Sequence, residues 1–142
     1  MIVLIIITQC GNPNGSSSGV NSLSKEEKIR LKQYSVQGAK LYTTYCANCH
    51  QQDGKGLASL YPPLANADYL LEDLPRAACI IKYGLLEEIV VNGKTYNQMM
   101  PGNEITNLEI AEILTYIGNS WGNQAGLTNV KDVSQWLKDC EE

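Results

Sequence analysis

The chain of 142 residues contains no phenylalanine and a single histidine. One imidazole excludes every metal or catalytic site that needs a histidine pair. Without phenylalanine, the aromatic bulk of the core falls mainly to eight tyrosines, whose buried hydroxyls need hydrogen-bond partners. Basic residues are also in deficit: 11 Lys and Arg against 15 Asp and Glu leave a formal charge of −4. With no basic stripe to displace counterions from phosphates, nucleic acid and anionic membrane surfaces are poor electrostatic partners. Long apolar runs are missing too. The run at residues 2–7 is far below the ~20 residues that cross a bilayer. The composition is still that of a globular protein, 44% apolar and 18% charged, and the length suits one domain of roughly 100 to 150 residues.

Cysteine, by contrast, is plentiful. Five in so short a chain point to an oxidising compartment or to covalent cysteine chemistry. Within TTYCANCHQQDGKGL, residues 43–57, Cys46, Cys49 and the only histidine, His50, fall inside five positions. From the chain's own residue frequencies, a CxxCH arises by chance about 0.001 times. The pattern is that of c-type haem attachment: two thiols bond to the porphyrin vinyl groups, and the adjacent imidazole lies beneath the iron. Other readings ask for features that the sequence does not offer. A CxxC redox pair wants a βαβ setting, and a zinc site needs Cys79 or Cys140 as further ligands without zinc-like spacing. A plain Cys46–Cys49 disulfide leaves His50 unexplained.

The surrounding signals are mostly helical. Ser24 and Glu27 have the spacing of a capping box, and Leu31, Tyr34, Gly38, Leu41, Tyr42 and Tyr45 follow at helical intervals, so a helix is expected to run into the CxxCH. After a glycine-rich turn at 53–56 and the segment Tyr61-Pro62-Pro63-Leu64, Pro75 opens a short helix that Gly84 ends. IVVNGKTY places Asn92-Gly93 between two β-prone runs, a two-residue hairpin. Thr106 and Glu109 form a second capping box, with Ile110, Ile113, Leu114, Ile117 and Trp121 at helical spacing behind it. Val130, Val133, Trp136, Leu137 and Cys140 make a last stripe. The expected fold is all-α, a domain over 24–142 with a small hairpin and a C-terminal extension helix.

With His50 used, a bis-histidine haem is impossible. Met1 aside, only Met99 and Met100 offer a thioether, both between the hairpin and the next helix. Their polar flanks, YNQ and PGNE, suit an exposed loop better than a core.

The CxxCH, the Gly38 and Tyr42 pair and the Met100-Pro101 step together resemble class I cytochromes c over about residues 34–122. The resemblance implies a cytochrome c fold, its N- and C-terminal helices packed crosswise around one covalently bound haem, with Gly38 and Tyr42 facing Ile113 and Tyr116. It implies His50 and Met100 as the metal ligands, with the Pro62 carbonyl holding the histidine and Leu64 packing on the ring. Pro62-Pro63 as a plain rigid turn is the alternative. The implied function is transfer of single electrons between redox proteins of the cell envelope, with no small-molecule substrate and no nucleic acid. A dedicated haem c subunit of a larger oxidoreductase fits the same residues, because VNGKTYNQMMPG and LTYIGNSWGN look like haem modules of such enzymes. If neither methionine binds iron, an open sixth position implies a sensor or peroxidase. Acidic clusters at Glu72-Asp73, Glu87-Glu88 and Glu104, Glu109, Glu112 either steer a basic partner or are solvated faces.

The N-terminus resembles that of a bacterial lipoprotein: residues 1–9 as a short or truncated leader, Cys10 as the acylated residue, and 10–23 as an uncharged Gly/Ser/Asn tether. This implies the periplasm or cell envelope, with a membrane anchor at Cys10; an exported free thiol is the plainer reading. Cys79 and Cys140 either pair, closing a loop of about 62 residues worth ~4 kcal/mol, or remain two buried thiols.

Overall fold

The computed structural model describes residues 23–140, so the leader, Cys10 and the tether up to residue 22 lie outside the described residues. Among the described residues, six helices and four short strands follow in the order α1 Lys25–Tyr45, α2 Ala47–His50, α3 Asp68–Leu71, α4 Leu74–Tyr83, β1 Gly84–Leu85, β2 Ile89–Val91, β3 Lys94–Tyr96, β4 Met100–Pro101, α5 Asn107–Ile117 and α6 Val130–Trp136. Among these helices none is long and apolar enough to cross a membrane.

Both expected capping boxes are present. Glu27 N–H donates to Ser24 Oγ at 3.1 Å while Ser24 N–H donates to the Glu27 carboxylate at 2.9 Å. Thr106 and Glu109 repeat the exchange at the start of α5. Each satisfies two backbone donors that a helix start leaves without intrahelical partners. Pro75 sits in the first turn of α4, and Gly84 at φ 90° ends it. Asn92 and Gly93, at φ 50° and 76°, turn β2 back on β3. Positive φ at both central residues is the primed turn that matches strand twist.

The core lies where α1 meets α5. A Cβ on Gly38 would fall 2.7 Å from Tyr116 Cβ and closer still to the Glu112 carbonyl oxygen, so the absent side chain lets the helices touch at backbone distance. One turn on, Tyr42 is fully buried, its ring 5.4 Å from that of Tyr116. Its hydroxyl donates to the Gln51 carbonyl at 2.6 Å, which supplies the partner that a tyrosine core requires. Tyr116 thus faces both Gly38 and Tyr42, and Ile113, buried in the same core cluster, also lines the cleft described below.

Three features depart from the sequence reading. Met100-Pro101 is not free loop but strand β4, paired antiparallel with β1 so that Leu85 opposes Met100. Asp68–Leu71 forms a single helical turn, α3. Trp121 does not extend α5, which ends at Ile117; Asn119 donates to the carbonyls of Thr115 and Gly126 and draws the chain off the helix axis, and Trp121 adopts φ 54°.

The tail helix is fixed twice. Cys79 on α4 is disulfide-bonded to Cys140. Arg30 on α1 donates to the side chain of Asn129, the N-cap residue of α6, at 3.1 Å. Val133 is fully buried beneath.

Candidate haem site

The one-turn helix α2 carries the CxxCH. His50 N–H donates to the Cys46 carbonyl at 3.0 Å, and Gln51, at φ 63°, turns the chain away. This places Cys46, Cys49 and His50 on one wall of a cleft whose free volume, counted out to its mouth, is about 990 Å³. Leu64 and Leu70, Ile80 and Ile81 of α4, Val91 and Tyr96 of the hairpin, and Ile113 and Ile117 of α5 make the rest predominantly apolar. Met100 and Met99 belong to the lining as well, but Met100 packs against the core while Met99 is 56% exposed.

His50 is 8% exposed, and its Nδ1 lies 2.9 Å from the Pro62 carbonyl oxygen. A carbonyl only accepts, so Nδ1 carries the proton and Nε2 keeps its lone pair. Burial lowers the pKa of the ring, with the Pro62 carbonyl acting in the opposite direction, so the imidazole is neutral and able to ligate at neutral pH. Burial, and secondarily the neighbouring Cys49, push the Cys46 thiol up to about 12. A redox-active CxxC needs the opposite shift, a thiolate at neutral pH. Cys46 and Cys49 are unbonded, Cys79 and Cys140 are bonded to each other, and among the described residues no group of three His, Cys, Asp or Glu side chains is placed to hold a metal ion. The zinc reading therefore loses its further ligands.

The donor set fits haem c. Two free thiols flank a neutral imidazole with one available nitrogen, and an apolar cleft with a thioether in its lining faces them. Of the other two residues named from the resemblance, Pro62 accepts from the histidine and Leu64 lines the cleft wall.

Two residues near the site carried little signal in the sequence. Trp121 stands behind the cleft, its ring 5.2 Å from Tyr42 and 5.7 Å from Tyr116, and its Nε1 donates to the Gln52 carbonyl at 3.2 Å. A Cβ on Gly54 would lie 2.6 Å from its Cδ2, so the loop after the CxxCH lies flat on the indole. Asn123 is buried, and its amide bonds the loop that bears Pro62. The spacing places Trp121 in the stripe of α5, and Asn123, a lone polar residue beyond it, belongs to no periodic pattern.

Of the acidic clusters, Asp73 caps α4, Glu109 caps α5 and Glu112 is half-buried. Glu87 and Glu88 are exposed, next to the exposed Leu86 and close to the cleft-lining Leu85.

Residues 35–121 match the family model for cytochrome c. Cytochrome c-552 of Thermus thermophilus is 40% identical over 93 residues, covering 62% of this chain and 70% of that one. The cytochrome c subunit of the quinone alcohol dehydrogenase of Gluconacetobacter polyoxogenes is 34% identical over 110 residues, covering 74% of this chain. The cytochrome c subunit of gluconate 2-dehydrogenase of Pantoea cypripedii is 32% identical over 116 residues, also covering 74%. The chain spans only 23% and 25% of those two subunits. With the matched region running from α1 through the end of α5, the chain belongs to the cytochrome c family, as a class I monohaem c-type cytochrome that transfers electrons on covalently held haem c.

Proposed function

We propose that Cys46 and Cys49 would hold haem c through their thiol sulfurs, that His50 Nε2 and the Met100 thioether would ligate its iron, and that the protein passes single electrons between redox proteins of the cell envelope. The observation that carries this reading is the convergence on one apolar cleft of two free thiols, an imidazole whose Nδ1 is engaged, and Met100. Haem c, when bound, supplies a one-electron couple, and thioether ligation favours its reduced form. The chain's part is to hold and to insulate. Pro62 fixes the tautomer and orientation of His50, and the β1–β4 pairing holds Met100 by its backbone. Leu64, Ile81, Ile113 and Ile117 keep water from the cleft. A rigid pair of ligands leaves little rearrangement to oppose electron transfer.

Docking is proposed at the rim of the cleft, where Leu86 is 78% exposed and Met99 56% exposed beside the Leu85–Met100 pair. A small contact of this kind suits transient redox encounters. Glu87 and Glu88 at its edge would steer a basic partner. Lipidation of Cys10 would tether the domain to the membrane through residues 11–23.

A second reading, a fixed haem c subunit of a larger oxidoreductase, is supported by the similarity to cytochrome c subunits of two dehydrogenases. Purification of the native protein under mild conditions, with its mass in solution, separates a free carrier from a subunit.

The test of the site is the absorption spectrum of protein matured with a haem-attachment system, with carbon monoxide added to the reduced form. A low-spin spectrum with the weak red band of a Met–ferric bond, unchanged by the gas, is expected. A high-spin spectrum that shifts with the gas would show an open sixth position and favour sensing or peroxidase chemistry.

A further inference from the structure

His50 is flanked by two loops that no regular element holds. Residues 51–54 follow it, and residues 62–66 bring the Pro62 carbonyl to its Nδ1. The second loop is tied to the first, because Leu64 and Ala65 N–H donate to the Gly54 carbonyl at 2.7 and 2.9 Å. It is tied on its other side by one buried amide. Asn123 is 4% exposed, and both polar atoms of its side chain are engaged. Its Nδ2 donates to the carbonyls of Leu64, at 3.0 Å, and of Ile117, at 2.7 Å, while its Oδ1 accepts from Asn66 N–H at 2.8 Å. The amide therefore pins the residues two and four positions after Pro62 to the last residue of α5.

The geometry points to Asn123 as a positioning residue for the proximal ligand: by bracing Leu64–Asn66 against α5, it sets the distance between the Pro62 carbonyl and His50 Nδ1–H, and through that bond the donor strength of Nε2. The inference rests on the reading of His50 as an iron ligand. Only an Asn fits these three partners. An Asp would turn an acceptor toward two carbonyls, and an apolar residue would leave three backbone groups without partners. A histidine that donates firmly through Nδ1 is the more basic ligand and favours ferric iron, so loosening the loop raises the reduction potential.

The single histidine makes the test specific, because ¹⁵N-histidine labels one ring in the holoprotein. Asn123→Ala is compared with Thr106→Ala, which removes the α5 cap at its far end and touches neither loop. For Asn123→Ala, the expected result is a two- to tenfold shift of the ferric/ferrous equilibrium toward ferrous, a rise of up to about 59 mV for one electron. The His50 Nδ1–H should also exchange at least tenfold faster. Thr106→Ala should lower the unfolding midpoint without moving the potential. If Asn123→Ala lowers stability and leaves both potential and ring exchange where Thr106→Ala leaves them, Asn123 is merely structural. Should that variant fail to mature, exchange in the unaltered holoprotein decides. Asn66 N–H and His50 Nδ1–H opening with equal protection supports the brace, and independent opening overturns it. A ring without hyperfine shift in the ferric protein would sink the ligand reading itself, a different result from a shifted ring indifferent to Asn123.

Discussion

Gly38 on α1 and Tyr116 on α5 stand so close that a methyl group on the glycine would lie 2.7 Å from Tyr116 Cβ. The nearest obstacle is the Glu112 backbone carbonyl, which cannot swing aside as a side-chain tip would. Gly38→Ala must therefore push the two helices apart and loosen the packing of Tyr42 on Tyr116. Overpacking typically costs about 1–3 kcal/mol, and because the nearest atom is backbone we expect a net loss on the order of 1–2 kcal/mol after the gain of about 1 kcal/mol from the better helix propensity of alanine. Urea unfolding of the holoprotein measures it. An unchanged midpoint would mean that the contact yields more easily than a backbone carbonyl should.

The two methionines separate by burial. Met100 packs against the core and is held in β4, whereas Met99 is 56% exposed. Met100→Ala should open the sixth position, abolish the red band of the Met–iron bond, let carbon monoxide bind the reduced protein and lower the potential. Met99→Ala should leave all four unchanged. The reverse pattern would move the ligand to Met99.

Much of this arrangement was legible because it is local. Ser24 with Glu27, Thr106 with Glu109, and Asn92-Gly93 each encode a structure within four residues, and each is found as read. The CxxCH carries its own geometry, since a single helical turn sets three reactive side chains on one wall. What escaped is long-range. The β1–β4 pair joins two-residue segments about 16 positions apart, too short for alternation to appear. Trp121 follows Ile117 by four residues and so shares its helical phase, yet the Asn119 side chain breaks the helix between them. Asn123 is a lone polar residue beyond the α5 stripe, and only the folded partners Leu64 and Asn66 reveal what its amide does.

Glu112 and Glu109 give opposite pH signatures. Burial, with a further contribution from the neighbouring Glu109 charge, raises the Glu112 carboxyl above its ordinary value. The native state therefore binds this proton more tightly than the unfolded chain, and stability falls as pH rises from the unfolded pKa through the higher folded one. Hydrogen bonds from Thr106 lower Glu109, whose stabilisation is present above the ordinary carboxylate pKa and fades as pH falls through the depressed folded value. Glu112→Gln should be more stable than the unaltered protein near neutral pH, with the advantage shrinking toward about pH 4. Urea midpoints between about pH 4 and pH 7 read this out, and a pH-independent difference would remove Glu112 as its source.

The disulfide ties α4, three of whose residues line the cleft, to a tail beyond the region matched by the family model. Cys79 and Cys140 are 61 positions apart, and on the chain-entropy model freeing such a loop costs about 4 kcal/mol. The tail has other holds, notably buried Val133 and the Arg30–Asn129 bond, so opening the bridge should leave α6 docked in the native state while enlarging the unfolded ensemble. Cys79→Ser with Cys140→Ser is thus expected to lower the unfolding free energy by ~2–4 kcal/mol and to leave the visible spectrum unchanged. Replacing the pair also removes the two cysteines that compete with Cys46 and Cys49 for oxidative pairing during haem attachment, so the yield of correctly matured protein should not fall. A spectrum that changed with the bridge would instead mean that the tail holds α4 against the haem, because Ala77, Ile80 and Ile81 surround Cys79 on that wall.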